Sequence, residues 1–137
     1  MTDRTSESRK PVSLSGAHLL VTGAAGFIGS NFVQHLAAGH DDISITVLDK
    51  LTYAGNPANL APLEGVKGYR FVKGDIADPA VVEDLVAAAD YVVNFAAESF
   101  VDRSIEDARP FLNSNVEAPL VLLDAARRRI RELEGKG

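Results

Sequence analysis

The sequence contains no cysteine, few aromatic residues and no excess of basic residues, and each shortage excludes a class of function. Without cysteine, the 137-residue chain has no disulfide framework, no thiol nucleophile and no thiolate metal site. Aromatic residues make up 7% of the chain and the formal net charge is −5, which argues against a nucleic-acid partner. Because no apolar run approaches the ~20 residues of a membrane span, we expect no membrane partner either.

The same survey bounds the domain organisation. Residues 1–16 are polar and carry no apolar signal segment, so we expect a disordered leader there and a cytoplasmic protein. Residues 17–137 suit a single domain with a sizeable core. The three histidines are His18 at the start of a predicted strand, His35 on a predicted helix and His40 in a loop. We therefore predict no metal site.

A glycine pattern, V-T-G-A-A-G-F-I-G-S at residues 21–30, is the most informative feature that is present. Its three glycines follow a strand-like run and open a helix-like one. We expect Gly23 to allow a turn too tight for a Cβ, Gly26 to let the backbone touch a pyrophosphate, and Gly29 to let helix and strand pack closely. The phosphates of a dinucleotide would then lie on the N–H groups at the positive end of the helix.

An acidic residue completes this dinucleotide signature. The β-branched run at residues 43–48 ends in Asp49, twenty residues after Gly29. A carboxylate there accepts hydrogen bonds from both adenosine ribose hydroxyls and repels a 2′-phosphate, which favours NAD over NADP. Lys50 partly offsets that preference, because a cation beside the ribose tolerates a phosphate. The alternative interpretation is that the glycines only form turns and that Asp49 only ends a strand.

Hydrophobic periodicity and turn residues predict an alternating βαβ order along the chain. Predicted strands cover residues 18–22, 43–48, 69–73 and 91–95, and predicted helices cover 28–38, 79–89 and 111–133, with a loop holding at most a short helix at 51–68. This order predicts an α/β fold, a Rossmann-type doubly wound parallel sheet with strand order 3-2-1-4, truncated before a fifth strand.

Three details of the helices are predicted as well. Ile28, Phe32 and Leu36, at a spacing of four, form the apolar face of the first helix, and Gly39 is its C-cap. Pro119 interrupts the last helical pattern, so we expect a kink or a fresh helix start there.

The unusual residues collect where the predicted strands end. Asp75, after the third strand, could accept a hydrogen bond from the adenine amino group, or it could be the N-cap of the helix that begins at Pro79. Ala96 and Ala97, after the fourth strand, are small enough to let a cofactor pass over it. Loops at one edge of a parallel sheet build a binding site, so we expect the site there.

Four further motifs are more specific than the glycine loop. They are D-K-L-T-Y-A-G-N at residues 49–56, G-D-I at 74–76, A-A-E-S-F-V-D-R-S-I at 96–105 and N-S-N at 113–115. With the glycine loop, they resemble the N-terminal part of the dTDP-glucose 4,6-dehydratases, a family of extended short-chain dehydrogenase/reductases. The resemblance covers about residues 17–130.

The resemblance implies NAD as the cofactor and a set of contacts to its parts. By this resemblance Phe27 and Ile28 lie over the pyrophosphate; Asp49, Lys50, Leu51 and Thr52 hold the adenosine ribose; Asp75 and Ile76 flank the adenine; Phe95, Ala96, Ala97 and Ser99 line the nicotinamide side, with Ser99 also near the bound sugar; and Ser114 contacts the cofactor from the last helix. Asn94 and Phe100 stand at positions where the family has histidines, and both departures fall on the sugar side of the site.

The resemblance also implies a lyase reaction, from dTDP-glucose to dTDP-4-keto-6-deoxyglucose, in a homodimer. Transient oxidation at C4 precedes loss of water across C5 and C6 and return of the hydride to C6. This chemistry needs an activated tyrosine with a lysine four residues on, both on a helix after a fifth strand. The chain stops before them, and family members are more than twice as long. We therefore predict no catalytic residue in this chain and no activity for it alone.

Tyr69 and Lys73 do spell Y-x-x-x-K, but they fall in a predicted strand. A four-residue step there spans ~13 Å, too far for the two side chains to act together. Two other functions stay open: another nucleotide-sugar epimerase or decarboxylase of the same superfamily, against which the D-K-L-T-Y-A-G-N loop argues, and an NAD-binding or interaction module without chemistry.

Overall fold

One parallel sheet of four strands organises the chain. A computed structural model describes residues 13–51, 55–96 and 118–135. The strands are β1 (His18–Thr22), β2 (Ser44–Asp49), β3 (Tyr69–Lys73) and β4 (Tyr91–Asn94). Their spatial order is β3-β2-β1-β4 and all three pairings are parallel, which confirms the predicted sheet. The order reverses between β1 and β4, and such a reversal opens a crevice at the carboxyl ends of the strands.

Helices cover both faces of the sheet. They are α1 (Phe27–Gly39), a 3₁₀ helix (Pro57–Leu63), α2 (Pro79–Ala88) and α3 (Ala118–Gly135). On one face, Val33 and Leu36 of α1 and Leu60 of the 3₁₀ helix join a core with Val21. On the other face, residues of α2 and α3 form a second core around Leu20, Leu48, Val82 and Leu122. Two covered faces are what a doubly wound sheet requires, because its inner strands are apolar on both sides.

The structure corrects two details of α1. Ile28 is 70% exposed, and the buried positions are Gly29, Ser30, Val33 and Leu36, so the buried face is rotated away from the predicted one. The predicted C-cap is also wrong. Gly39 is the last helical residue, and the chain leaves the helix at His40, which is extended with φ −141°.

The strands and α2 lie within one residue of their predicted bounds, and α3 ends two residues after its predicted end. Pro79 takes the first position of α2 as expected, because its missing N–H and restricted φ suit a helix start. Pro119 is the second residue of α3, but residues 111–117 lie outside the described part of the chain, so the predicted kink or fresh start stays a prediction. α3 packs on α2, where Arg128 pairs with Glu83. Within the described ranges, no helix has the length and apolarity to cross a membrane.

Candidate functional site

The glycine loop leaves β1 with a turn that only glycine fits. Gly23 has φ +74°, and a Cβ built on it would lie 2.4 Å from the backbone nitrogen of Ala96. The obstacle is backbone, so no side-chain rotation could relieve it. The Gly23 N–H donates to the Leu48 carbonyl at 3.0 Å, which ties the turn to the end of β2. Gly23 thus lets the chain that leaves β4 cross directly against the glycine loop, as expected of a tight turn.

The loop then opens α1 with no side chain in the way. Gly26 is the N-cap, and among the described residues none caps it through a side chain. A Cβ on Gly29 would lie 2.7 Å from the Ala24 Cα, so the first turn sits directly on the loop. Phe27 and Ile28 beside it are 81% and 70% exposed. A helix start with its N–H groups uncapped and a positive dipole end is a site for an anion such as a pyrophosphate.

Asp49 connects the glycine loop with the end of β2. Its side chain is buried, and its Oδ2 accepts a hydrogen bond from the Ala25 N–H at 2.9 Å. Its Oδ1 accepts one from the Leu51 N–H at 2.8 Å, and Leu51 has φ +57°, a left-handed conformation that is uncommon outside glycine. A carboxylate oxygen has two acceptor sites, so these hydrogen bonds among the described residues use one site on each Asp49 oxygen.

Sequence reasoning missed the residues that hold the other side of this loop. The Ala25 carbonyl accepts from the Asn59 side chain at 2.8 Å and from the Asn56 N–H at 3.1 Å. The Gln34 side chain donates to the Asn59 carbonyl at 2.8 Å, which links the 3₁₀ helix to α1. Asn56 also caps the 3₁₀ helix, and Asn followed by Pro at N1 is a sequence signal that could have found it. No sequence signal marks Asn59.

Lys50 and Asp75 meet across the ends of β2 and β3. The Lys50 Nζ lies 3.4 Å from the Asp75 Oδ2, and the Asp75 Oδ1 accepts from the Ala77 N–H at 2.9 Å. The N-cap alternative for Asp75 is wrong: Asp78 caps α2 by accepting from the Ala80 N–H. Asp75 is therefore left at the sheet edge, where it was predicted to meet the adenine.

The chain that leaves β4 lies directly against the glycine loop. The Asn94 side-chain oxygen accepts from the Thr22 hydroxyl at 2.6 Å and from the Ala96 N–H at 2.9 Å. The Phe95 ring packs against Phe32 of α1 at a centroid distance of 5.2 Å. Asn94 thus holds the ends of β1 and β4 together.

The predicted site residues fall into three groups. The first group lies around the carboxyl ends of the four strands and consists of Gly23, Gly26, Phe27, Ile28, Gly29, Asp49, Lys50, Leu51, Asp75, Phe95 and Ala96. Ile76 is 7% exposed and its side chain belongs to the second core, so only its backbone lies at the carboxyl edge of the sheet. Thr52, Ala97, Ser99 and Ser114, with Phe100, lie outside the described residues.

Tyr69 and Lys73 are the first and last residues of β3, so the pair lies on a strand as predicted. Burial, and to a smaller degree the charge of Glu64, raises the pKa of the Tyr69 phenol. A tyrosine that removes a proton from a substrate needs the opposite shift. In the described part of the chain, no three His, Cys, Asp or Glu side chains cluster as metal ligands would.

Comparisons with known proteins agree with this geometry. The model of the NAD dependent epimerase/dehydratase family matches residues 19–133. The low-salt glycan biosynthesis protein Agl12 of Haloferax volcanii is 58% identical over 108 residues, which are 79% of this chain and 34% of that protein. A dTDP-glucose 4,6-dehydratase of Streptomyces niveus is 52% identical over 114 residues, covering 80% of this chain and 34% of the enzyme.

A solved structure extends the likeness to three dimensions. The dTDP-glucose 4,6-dehydratase DesIV from Streptomyces venezuelae, crystallised with NAD bound, superposes with a TM-score of 0.77 at 49% identity. The match covers 82% of this chain and 36% of DesIV. The chain thus spans about a third of the length of these relatives.

Proposed function

The chain belongs to the NAD-dependent epimerase/dehydratase family, and on that basis we propose that it is the NAD-binding part of a dTDP-glucose 4,6-dehydratase. The observation that carries the proposal is the arrangement of Asp49 against the glycine loop. Among the described residues the loop presents a helix start with no side-chain cap, and Asp49 lies beside it with one acceptor site on each oxygen that the described hydrogen bonds do not use. These are the partners that a pyrophosphate and its adjoining ribose need.

The residues present fit NAD part by part. The N–H groups at the start of α1 would hold the pyrophosphate, and the exposed Phe27 and Ile28 would shield it from water. Asp49 would accept from both ribose hydroxyls, and Asp75 would accept from the adenine amino group. When bound, NAD supplies a hydride acceptor and donor for the sugar. Thr52, Ala97, Ser99 and Ser114 remain part of this proposed site, with Ser99 also toward the sugar.

The proposal extends to the whole protein that such a chain would serve. That protein would be a cytoplasmic homodimer acting on dTDP-glucose. Tyr69 and Lys73 would not be its catalytic pair, because both lie on a strand and the pKa of Tyr69 is raised. The chain alone should therefore bind NAD and leave dTDP-glucose unchanged.

Calorimetric titration of the 137-residue chain tests the cofactor assignment. We expect NAD to bind about tenfold or more tightly than NADP, because Asp49 accepts from a ribose that carries no 2′-phosphate. Asp49→Ala should remove most of that difference. Since Asp49 also holds Ala25 and Leu51, Asp49→Asn is the matched variant: it keeps one acceptor oxygen for the loop while removing the charge. NADP binding as tight as NAD to the unaltered chain would contradict the assignment.

A second assay tests whether the chain alone has dehydratase activity. The purified chain is incubated with NAD and dTDP-glucose, and the products are separated by chromatography. Formation of the 4-keto-6-deoxy sugar would contradict the proposal that the chain alone is inactive.

A further inference from the structure

The ion pair between Lys50 and Asp75 lies where a dinucleotide-binding fold discriminates between NAD and NADP. Lys50 directly follows Asp49, and a basic residue close to that acid is how such folds accommodate a 2′-phosphate. Alone, Lys50 would therefore weaken the preference that Asp49 creates. In the structure its ammonium group instead lies 3.4 Å from the Asp75 carboxylate.

Asp75 is held ready for this contact by its own turn. Its Oδ1 accepts the Ala77 N–H, which orients the Oδ2 toward Lys50. The backbone brings the two residues together, because Asp49 pairs with Lys73 in the strand register and the Gly74 N–H donates to the Asp49 carbonyl at 3.1 Å. The sheet thus places the two residues near each other, and the Lys50 side chain completes the contact.

We infer that Asp75 is a positioning residue that strengthens the preference for NAD by occupying Lys50. The inference rests on the proposed function, since it concerns the same cofactor site. A 2′-phosphate would have to compete with the Asp75 carboxylate for the Lys50 ammonium group. NAD, which has no phosphate there, does not meet this penalty. Specificity thus depends on two carboxylates, one at the ribose and one that neutralises the neighbouring lysine.

The test measures the ratio of the two dissociation constants, Kd(NADP)/Kd(NAD), by calorimetry on the 137-residue chain. NAD and NADP carry the same adenine, so a weaker hold on the adenine in an Asp75 variant affects both dinucleotides equally and cancels in the ratio. A partly exposed pair is worth up to about 1 kcal/mol, so D75N should lower the ratio about threefold to fivefold. K50Q alone should change the ratio less than D75N does, because Lys50 is already paired with Asp75.

Two further variants decide the outcome. In the K50Q background, D75N should no longer lower the ratio, because no lysine remains to be released. E83Q makes the same charge change at the Glu83–Arg128 pair between α2 and α3, and should leave the ratio unchanged. An unchanged ratio in D75N, or the same decrease in K50Q/D75N or in E83Q, would overturn this inference alone. Failure of the unaltered chain to bind either dinucleotide would overturn both this inference and the proposed function.

Discussion

The two inner strands and the two outer strands of the sheet differ sharply in their burial. In β1 and β2 every residue after the first is buried, whereas β3 and β4 contain no buried residue. The inner pair carries the glycine loop and Asp49 at its carboxyl ends. A cofactor site that depends on distances of tenths of an ångström thus lies where the backbone is packed from both faces. The outer strands leave large apolar side chains such as Tyr91 and Val92 partly in water.

The largest effect we predict comes from the point where the two regions touch, the turn at Gly23 against the exit of β4. Gly23→Ala must strain a positive φ and push a Cβ into backbone at 2.4 Å. We expect a loss of roughly 3 kcal/mol or more in the free energy of unfolding, measured in urea.

Gly39→Ala is the control for this substitution. Gly39 ends α1, and a Cβ there meets nothing within 4 Å. The change should be neutral or stabilising by up to about 1 kcal/mol. Equal losses in the two variants would mean that the glycine turn is no more constrained than a helix end.

Local signals explain why the inner region could be predicted so closely from the sequence. A turn that requires glycine, a β-branched run and an acid at its end are properties of neighbouring residues, and each names a place in a βαβ unit. The sequence also indicates the N-cap of α2. A cap directly precedes a proline at the first helical position, and Asp78 directly precedes Pro79.

What could not be predicted depends on residues far apart in the chain. The helical period of the apolar residues predicts Ile28 in the core, but the structure leaves it exposed. Periodicity alone cannot distinguish an apolar helix face that packs in the core from one that is exposed at a binding site. The pairs Lys50–Asp75 and Asn59–Ala25 depend on the strand register and on where the 3₁₀ helix lies. Neither is visible before the fold is known.

The second prediction concerns the outer strand β4, which no further strand borders among the described residues. An edge strand with exposed apolar side chains and no internal charge recruits other chains through its unpaired N–H and C=O groups. We expect the 137-residue chain to self-associate with rising concentration in light scattering, and Val92→Lys to reduce the association. Leu123, 66% exposed on α3, is a second apolar position whose replacement by Glu should act in the same direction.

Val66 supplies a matched control, because it has the same side chain and the same 38% exposure as Val92 but lies in the turn before β3. Val66→Lys should leave association unchanged. A monomeric, sharply cooperative chain whose β4 amides exchange slowly would contradict the contrast between inner and outer strands. It would also favour a complete NAD-binding module without chemistry.

The smallest predicted effect tests the other outer strand, β3. The Tyr69 ring packs partly against the first core cluster, and burial together with Glu64 raises the pKa of its phenol above the usual value of about 10. Over the interval between the unfolded and the folded pKa, the folded chain keeps the proton that the unfolded chain has lost. The stabilisation is therefore complete below about pH 10 and is lost as the pH rises through the raised pKa.

Urea unfolding at about pH 9 and about pH 11 measures this loss, and Tyr69→Phe isolates it, because that variant keeps the packing of the ring and has no proton to lose. Glu64→Gln should remove only the smaller part of the loss, since burial is the larger cause of the shift. If the unaltered chain and Tyr69→Phe lose the same stability, then the start of β3 is as open to water as β4. Burial in this sheet would then stop at its two inner strands, and the rigidity of the cofactor site would have to come from β1 and β2 alone.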